Sequence, residues 1–128
     1  MYEEDFNIVL LNDLAASAGK MLFEVDYGST PVSLCSIKDA DTRKEAEALL
    51  EMVDQGQIQE AEDKMFTLTN VRTADNMMVG FVYYAYLTGK DNDWLAKYSY
   101  SPQKIKERIR YFAERYGIEE MDDLYFYE

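Results

Sequence analysis

Apolar residues recur at three- and four-residue steps along most of the chain, the period of amphipathic helices. Over residues 5–25, Phe6, Val9, Leu10, Leu14, Ala18, Met21, Leu22 and Val25 follow that spacing and predict one long first helix. Ile8, Leu11 and Ala15 widen its stripe beyond what one flank of a small domain requires. The run Ala15-Ala16-Ser17-Ala18-Gly19 is small enough for another helix to approach closely. Packing inside the domain is one use for it, and a helix-to-helix homodimer contact is another. Residues 26–40 break the pattern. Tyr27-Gly28-Ser29-Thr30-Pro31 has turn chemistry, because glycine permits positive φ and Pro31 steers Thr30 away from helix. Val32, Leu34 and Ile37 alternate loosely and predict a short extended segment over the core, without a partner strand for a sheet.

Thr42 followed by Glu45 reads as a capping box opening the next helix, whose apolar face is Ala46, Leu49, Leu50 and Val53. Gly56 ends it, and Ile58, Ala61, Met65, Phe66 and Leu68 continue at once as a third helix. So short a join makes the two antiparallel neighbours. A fourth helix over 75–88 is nearly encircled by Met77, Met78, Phe81, Val82, Ala85, Tyr86 and Leu87, which marks it as central. Gly89 ends it, and Asp91 caps a short helix holding Trp94 and Leu95. Ser101-Pro102 opens another, lined by Ile105, Ile109, Phe112 and Tyr116 and closed by Gly117. A last turn over 119–126 carries Met121, Leu124 and Phe126. Gly56 and Gly89 lie 33 residues apart, near the tetratricopeptide period, but Gly117 follows after only 28. Gly56, Ile58 and Ala61 sit where tetratricopeptide units keep their turn glycine, aromatic and alanine. The expected fold is therefore all-α: an irregular bundle of five to seven helices built from antiparallel hairpins, tetratricopeptide-like around Gly56, in one domain over residues 1–128.

The apolar share of 48% and the aromatic share of 14% exclude global disorder. A net charge of −12 opposes phosphate contacts and anionic membrane surfaces, so neither nucleic acid nor membrane is an expected partner. The charge is uneven: residues 1–70 hold fifteen acids against five bases, residues 71–128 ten against eight. The bases concentrate in Lys104, Lys106, Arg108, Arg110 and Arg115. One cationic element thus stands on an anionic body, and it either pairs with the acidic helices or docks an acidic partner. Cys35 is alone, which excludes an intrachain disulfide and fits a small buried hydrophobe. The N-terminal Met1-Tyr2-Glu3-Glu4-Asp5 is acidic where a signal peptide is basic, and Asn12 and Asp13 interrupt the only apolar run there. A cytoplasmic location is expected.

The chemistry that the composition removes is extensive. Without histidine there is no Ser-His-Asp or Cys-His catalysis and no histidine-ligated zinc. One cysteine excludes thiolate metal sites, and the isolated glycines form no phosphate loop. Asp91-Asn92-Asp93 starts like a calcium loop but lacks its glycine and terminal glutamate. Glu45, Glu47, Glu51, Glu60, Glu62 and Asp63 read as a solvated acidic face, since a bundle di-metal site adds histidines. No catalytic, cofactor-binding or metal-binding residue is assigned, no cofactor is expected, and the chain does not read as an enzyme. Aromatics crowd the second half from Tyr83 to Tyr127, and tyrosine and tryptophan are enriched at binding hot spots.

Met1-Tyr2-Glu3, Leu22-Phe23-Glu24-Val25-Asp26, Met52 through Glu62, Tyr86-Leu87 and Tyr100-Ser101 resemble an uncharacterised bacterial domain family of short, acidic, helical proteins, end to end. The resemblance implies a bacterial cytosolic protein with a compact helical fold, and it carries no catalytic or binding residue with it. The leading expectation is a non-enzymatic protein-interaction module that self-associates, with Leu11, Ala15, Ala18, Tyr98, Tyr100, Tyr125 and Tyr127 as the candidate surface and a homodimer through the first helix. The alternative is an acidic decoy that mimics nucleic acid on a basic protein, which requires carboxylates in rows without interspersed lysines. A carboxylate-dependent hydrolase or metal enzyme is a third class and requires a pocket of convergent acids.

Overall fold

Among the described residues six α-helices follow the apolar periodicity: α1 (Glu3–Phe23), α2 (Ala40–Asp54), α3 (Ile58–Leu68), α4 (Ala74–Thr88), α5 (Asn92–Lys97) and α6 (Pro102–Arg115). The computed structural model describes residues 3–28 and 31–118, with residues 3–5 described by backbone alone. Among the described residues there is no strand. The expected last turn over 119–126 lies outside them. The result is an all-α bundle with antiparallel packing between helices.

α4 is the centre of the bundle. Of Met77–Thr88 only Ala85 and Tyr86 are less than fully buried. α1, α2, α3 and α6 all pack against it. Gly80 faces the ring of Phe112 from α6, and a Cβ there would overlap that ring, so glycine sets how closely α4 and α6 approach. Phe112 in turn touches Phe66, Phe81, Tyr84 and Tyr116 at ring-centroid distances of 6.2, 5.7, 6.1 and 4.9 Å.

Several helix starts are those the sequence signals. The Asp91 side chain accepts from the Trp94 amide, and the Ser101 hydroxyl accepts from the Lys104 amide, with Pro102 at the first helical position. α4 begins one residue early, capped by Thr73. The start of α2 differs from the expected capping box. Asp39 is the cap, accepting from the Thr42 amide at 2.9 Å and the Thr42 hydroxyl at 2.8 Å. Asp39 stands directly before the first helical residue, so its carboxylate faces the free first-turn amides and the positive end of the dipole, whereas Thr42 already lies inside the helix.

The glycine spacing that suggested a repeat joins unlike turns. Gly56 has φ +81° and Gly117 +76°, whereas Gly89 has φ −74°. Gly56 also carries the ring of Tyr98, so both its conformation and its lack of a side chain are used.

The segment after α1 is the main departure from expectation. Glu24, at φ 55°, reverses the chain at the end of α1. The Val25 amide then donates to the Gly19 carbonyl at 2.9 Å, and the Val32 amide donates to Asn12 Oδ1 at 2.8 Å. The Tyr27 ring lies on Gly19, where a Cβ would stand 2.6 Å from it. The expected extended segment is instead a 3₁₀ turn, Leu34–Ser36, which leads into buried Ile37 and packs against α2 and α4. The small residues of α1 therefore admit the chain's own returning segment and its neighbouring helices.

Candidate functional site

That packing corrects the first-helix half of the expected interaction surface. Leu11, Ala15 and Ala18 are 0%, 3% and 0% exposed, inside the core of this chain. The wide stripe that suggested a dimer packs against α4 and α6, with Tyr27 on Gly19 and Val32 bonded to Asn12 beside it. What α1 leaves open is Ile8 and Val9 near one end and Met21 and Leu22 at the other. Tyr98 and Tyr100 are half-buried: Tyr98 lies against Trp94 and Gly56, and the Lys104 ammonium sits 4.4 Å from the Tyr100 ring centroid. Tyr125 and Tyr127 lie outside the described residues. Cys35, expected in the core, is exposed on the 3₁₀ turn.

The seam between α3 and α6 holds the strongest polar constellation. Glu62 was expected on a solvated acidic face; it is 4% exposed. Helical spacing puts it on the stripe with Ile58, Ala61, Met65 and Phe66, so the fold must bury its carboxylate. Arg108 satisfies it bidentately, with Nε donating to Oε2 and Nη2 to Oε1, each at 2.9 Å. The Tyr84 hydroxyl donates to Oε2 at 2.9 Å. Burial pushes the Tyr84 hydroxyl well above the ordinary tyrosine range, and the Glu62 charge adds to it. Both oxygens of this carboxylate are thus engaged, which makes it a pin between helices.

The outer side of the same seam is open. Tyr111, 42% exposed, meets Phe66 edge to face at 5.6 Å. The Arg108 guanidinium lies 4.8 Å over the Tyr111 ring and that of Arg115 5.0 Å over Phe66. Beside them a cleft of about 300 Å³ is lined by Thr69, Asn70, Arg72, Glu114, Arg115 and Tyr116. An adjoining one of about 330 Å³ shares Asn70 and Arg115 and is floored by Phe66. Arg72 donates through Nη2 to the Arg115 carbonyl at 2.6 Å, covering the negative end of α6. The Tyr116 hydroxyl donates to the Thr69 carbonyl at 2.6 Å, and burial pushes it up to about 12. Among the described residues, neither Arg72 nor Arg115 has a carboxylate within ion-pair distance.

The other bases of α6 are engaged. Arg108 holds Glu62, Arg110 pairs with Glu114 at 3.3 Å, and Lys106 lies 4.8 Å from the Phe6 ring centroid. A second cluster joins α2 to the end of α4. Asp54 accepts from the Lys90 ammonium at 2.6 Å and from the Tyr86 hydroxyl at 2.7 Å, and Lys90 lies 4.9 and 5.0 Å from the Tyr86 and Trp94 ring centroids. The Lys90 and Tyr86 hydrogen bonds hold the Asp54 carboxyl below its ordinary range. Among the described residues no group of three potential ligands is arranged to hold a metal ion. No described helix is long and apolar enough to cross a membrane.

Phe66, Arg72, Arg108, Tyr111 and Arg115 thus form a face that periodicity alone does not single out. Its signal is the placement of Arg108, Tyr111 and Arg115 three or four residues apart along one edge of α6. Neither a curated protein nor a solved structure matches the chain. A model of a family of unknown function, DUF6483, matches residues 1–117, which takes in all six helices. The chain belongs to that family.

Proposed function

We propose that this protein is a non-enzymatic interaction module that docks an acidic, aromatic-bearing protein segment on the open face of the α3–α6 seam. One observation carries the reading: on a chain of net charge −12, Arg72 and Arg115 stand without a described carboxylate partner beside exposed Tyr111 and half-buried Phe66. Arginine and tyrosine are the residues that dominate binding energy at interfaces. The two adjoining clefts give that pair a recess about the size of a few side chains. The fixed Arg108, held by Glu62, keeps Tyr111 oriented, so little freedom is lost on binding. A cytoplasmic setting belongs to the proposal, supported by a lone cysteine.

The decoy alternative draws less support. Lys44 shares its α2 face with Glu47 and Glu51, and Lys64 shares its α3 face with Glu60, all exposed. Such interruptions spoil a row of carboxylates spaced like phosphates.

The test is selection from a displayed library of ten-residue peptides of mixed charge, followed by calorimetry. Acidic peptides with an aromatic residue are expected to enrich. Tyr111→Ala and the pair Arg72→Glu, Arg115→Glu should each weaken binding at least about tenfold, the scale of one hot-spot residue. Enrichment of basic peptides, or binding indifferent to these substitutions, would remove the proposal.

A further inference from the structure

We infer that residues 119–128 of this chain dock in cis on the cleft between the α3–α4 turn and the end of α6, competing there with the acidic segment proposed above. The inference rests on that reading of the face and names an occupant for it.

Charge is the first support. Residues 119–128 hold Glu119, Glu120, Asp122, Asp123 and Glu128 and no base, whereas residues 71–118 hold eight bases against five acids. The only strongly anionic stretch of the second half is therefore the one that follows α6. The same ten residues carry Leu124, Tyr125, Phe126 and Tyr127, which match the Phe66 and Tyr111 platform in kind.

The exit of the chain is the second. Arg115 and Tyr116 line the cleft, so the chain leaves α6 at its rim. Gly117 turns at φ +76°, and the position of its absent Cβ is 3.7 Å from Arg72 Nη1. Ile118 is 4% exposed, and its amide donates to the Ala113 carbonyl at 3.0 Å, which anchors the exit beside Arg72. From there, ten residues reach up to about 33 Å, while Tyr111 lies only about 7.5 Å back along the helix axis. Arg72, already bound to the Arg115 carbonyl, screens the helix end that would otherwise repel carboxylates. The family match stops at residue 117, so the acidic segment lies outside the matched part.

Tethering makes modest contacts sufficient. At an effective concentration on the order of 1 mM, a segment that binds in trans with a Kd of about 100 μM is docked about nine-tenths of the time. A competing segment is then weakened about tenfold.

The test uses the full chain carrying Cys35→Ser and Tyr127→Cys, spin-labelled at the new cysteine, with amide signals followed by NMR. Selective broadening at Thr67, Asn70, Arg72 and Tyr111 is expected, independent of protein concentration and relieved by salt. Arg72→Glu with Arg115→Glu should abolish it, and adding Asp122→Lys with Asp123→Lys should restore it. No selective broadening overturns the inference. Broadening that appears on unlabelled partners in a mixed sample also overturns it, since docking is then between copies. A synthetic peptide of residues 119–128 separates this failure from that of the face itself. It should bind a full chain with Glu119, Glu120, Asp122 and Asp123 changed to amides about tenfold more tightly than it binds the unaltered chain. Equal, measurable binding to both leaves the face standing and ends the cis docking; binding to neither ends both.

Discussion

Arg108→Met should be among the most damaging single changes on the surface half of this protein. The substitution keeps most of the side-chain volume and removes the bidentate partner of Glu62. The carboxylate, 4% exposed, is then left with the Tyr84 hydroxyl alone. Breaking a buried ion pair by removing one member costs about 3–5 kcal/mol. The Arg108 side chain is 31% exposed, so water enters part of the vacated space and the lower end applies, about 3 kcal/mol. For a chain of this length each kcal/mol moves Tm by about 4 °C, which gives a loss of about 12 °C. Glu62→Met together with Arg108→Met removes both charges and leaves only the Tyr84 hydroxyl without its acceptor, at about 1–3 kcal/mol. Adding Tyr84→Phe removes that too. Stability should therefore rise from the single to the double to the triple variant. Urea unfolding followed by circular dichroism measures the order, with unchanged m-values showing that the denatured state is the same. An Arg108→Met variant within about 0.5 kcal/mol of the parent, or a triple variant no better than the single, would refute the burial argument.

Three further outcomes are expected. Gly19→Ala brings a Cβ to 2.6 Å from the Tyr27 ring and 2.9 Å from the Val25 carbonyl oxygen; the Val25 amide's bond to the Gly19 carbonyl holds that residue in place, so about 1–3 kcal/mol is lost, with faster hydrogen exchange at the Val25 and Val32 amides. Gly56→Ala carries both the φ +81° strain and the Tyr98 ring; in a Tyr98→Ala background only the strain remains, about 1–2 kcal/mol, and a double-mutant cycle reads the difference. The Tyr116 hydroxyl ionises at about 12 when folded and near 10 when unfolded, so the native state binds more protons between those values; stability is intact below pH 10 and falls as pH rises towards 12, less steeply in Tyr116→Phe, as thermal melts at pH 9 to 11 would show.

The periodicity was enough for six helices, the central position of α4 and the caps at Asp91 and Ser101, because those depend on local spacing. Where a position's neighbours are distant in sequence, local spacing misled. Ala15 and Ala18 looked like a site for a second chain, yet this chain buries both, and Tyr27 and Val32, which no helical pattern announces, close on the neighbouring Gly19 and Asn12. Glu62 looked like one more surface acid, although its place among Ile58, Ala61, Met65 and Phe66 already required burial and hence a cation. That cation, Arg108, lies 46 residues away, and its choice over Lys106 or Arg110 depends on how α6 is rotated against α3. The open face around Tyr111 depends on the same rotation. Asp39 displaced Thr42 as a cap because both types satisfy the same rule, and only the backbone decides which amides are free.

The contact of α1 with α4 and α6 has a consequence for synthesis. Asn7 reaches across 95 positions to donate to the Pro102 carbonyl at 3.0 Å, so α1 is held by α6, made long after it. Roughly 90 residues separate the end of α1 from the end of α6. At about 5–20 residues per second, the apolar stripe of Leu10, Leu11, Leu14 and Ala18 waits on the order of 5–20 s on the ribosome for its final partner. During that wait the nascent chain grows towards residue 115, and its first 70 residues carry fifteen acids against five bases. The acidity of the first half thereby acquires a kinetic meaning: mutual repulsion keeps neighbouring nascent chains apart while their hydrophobic helices are still uncovered.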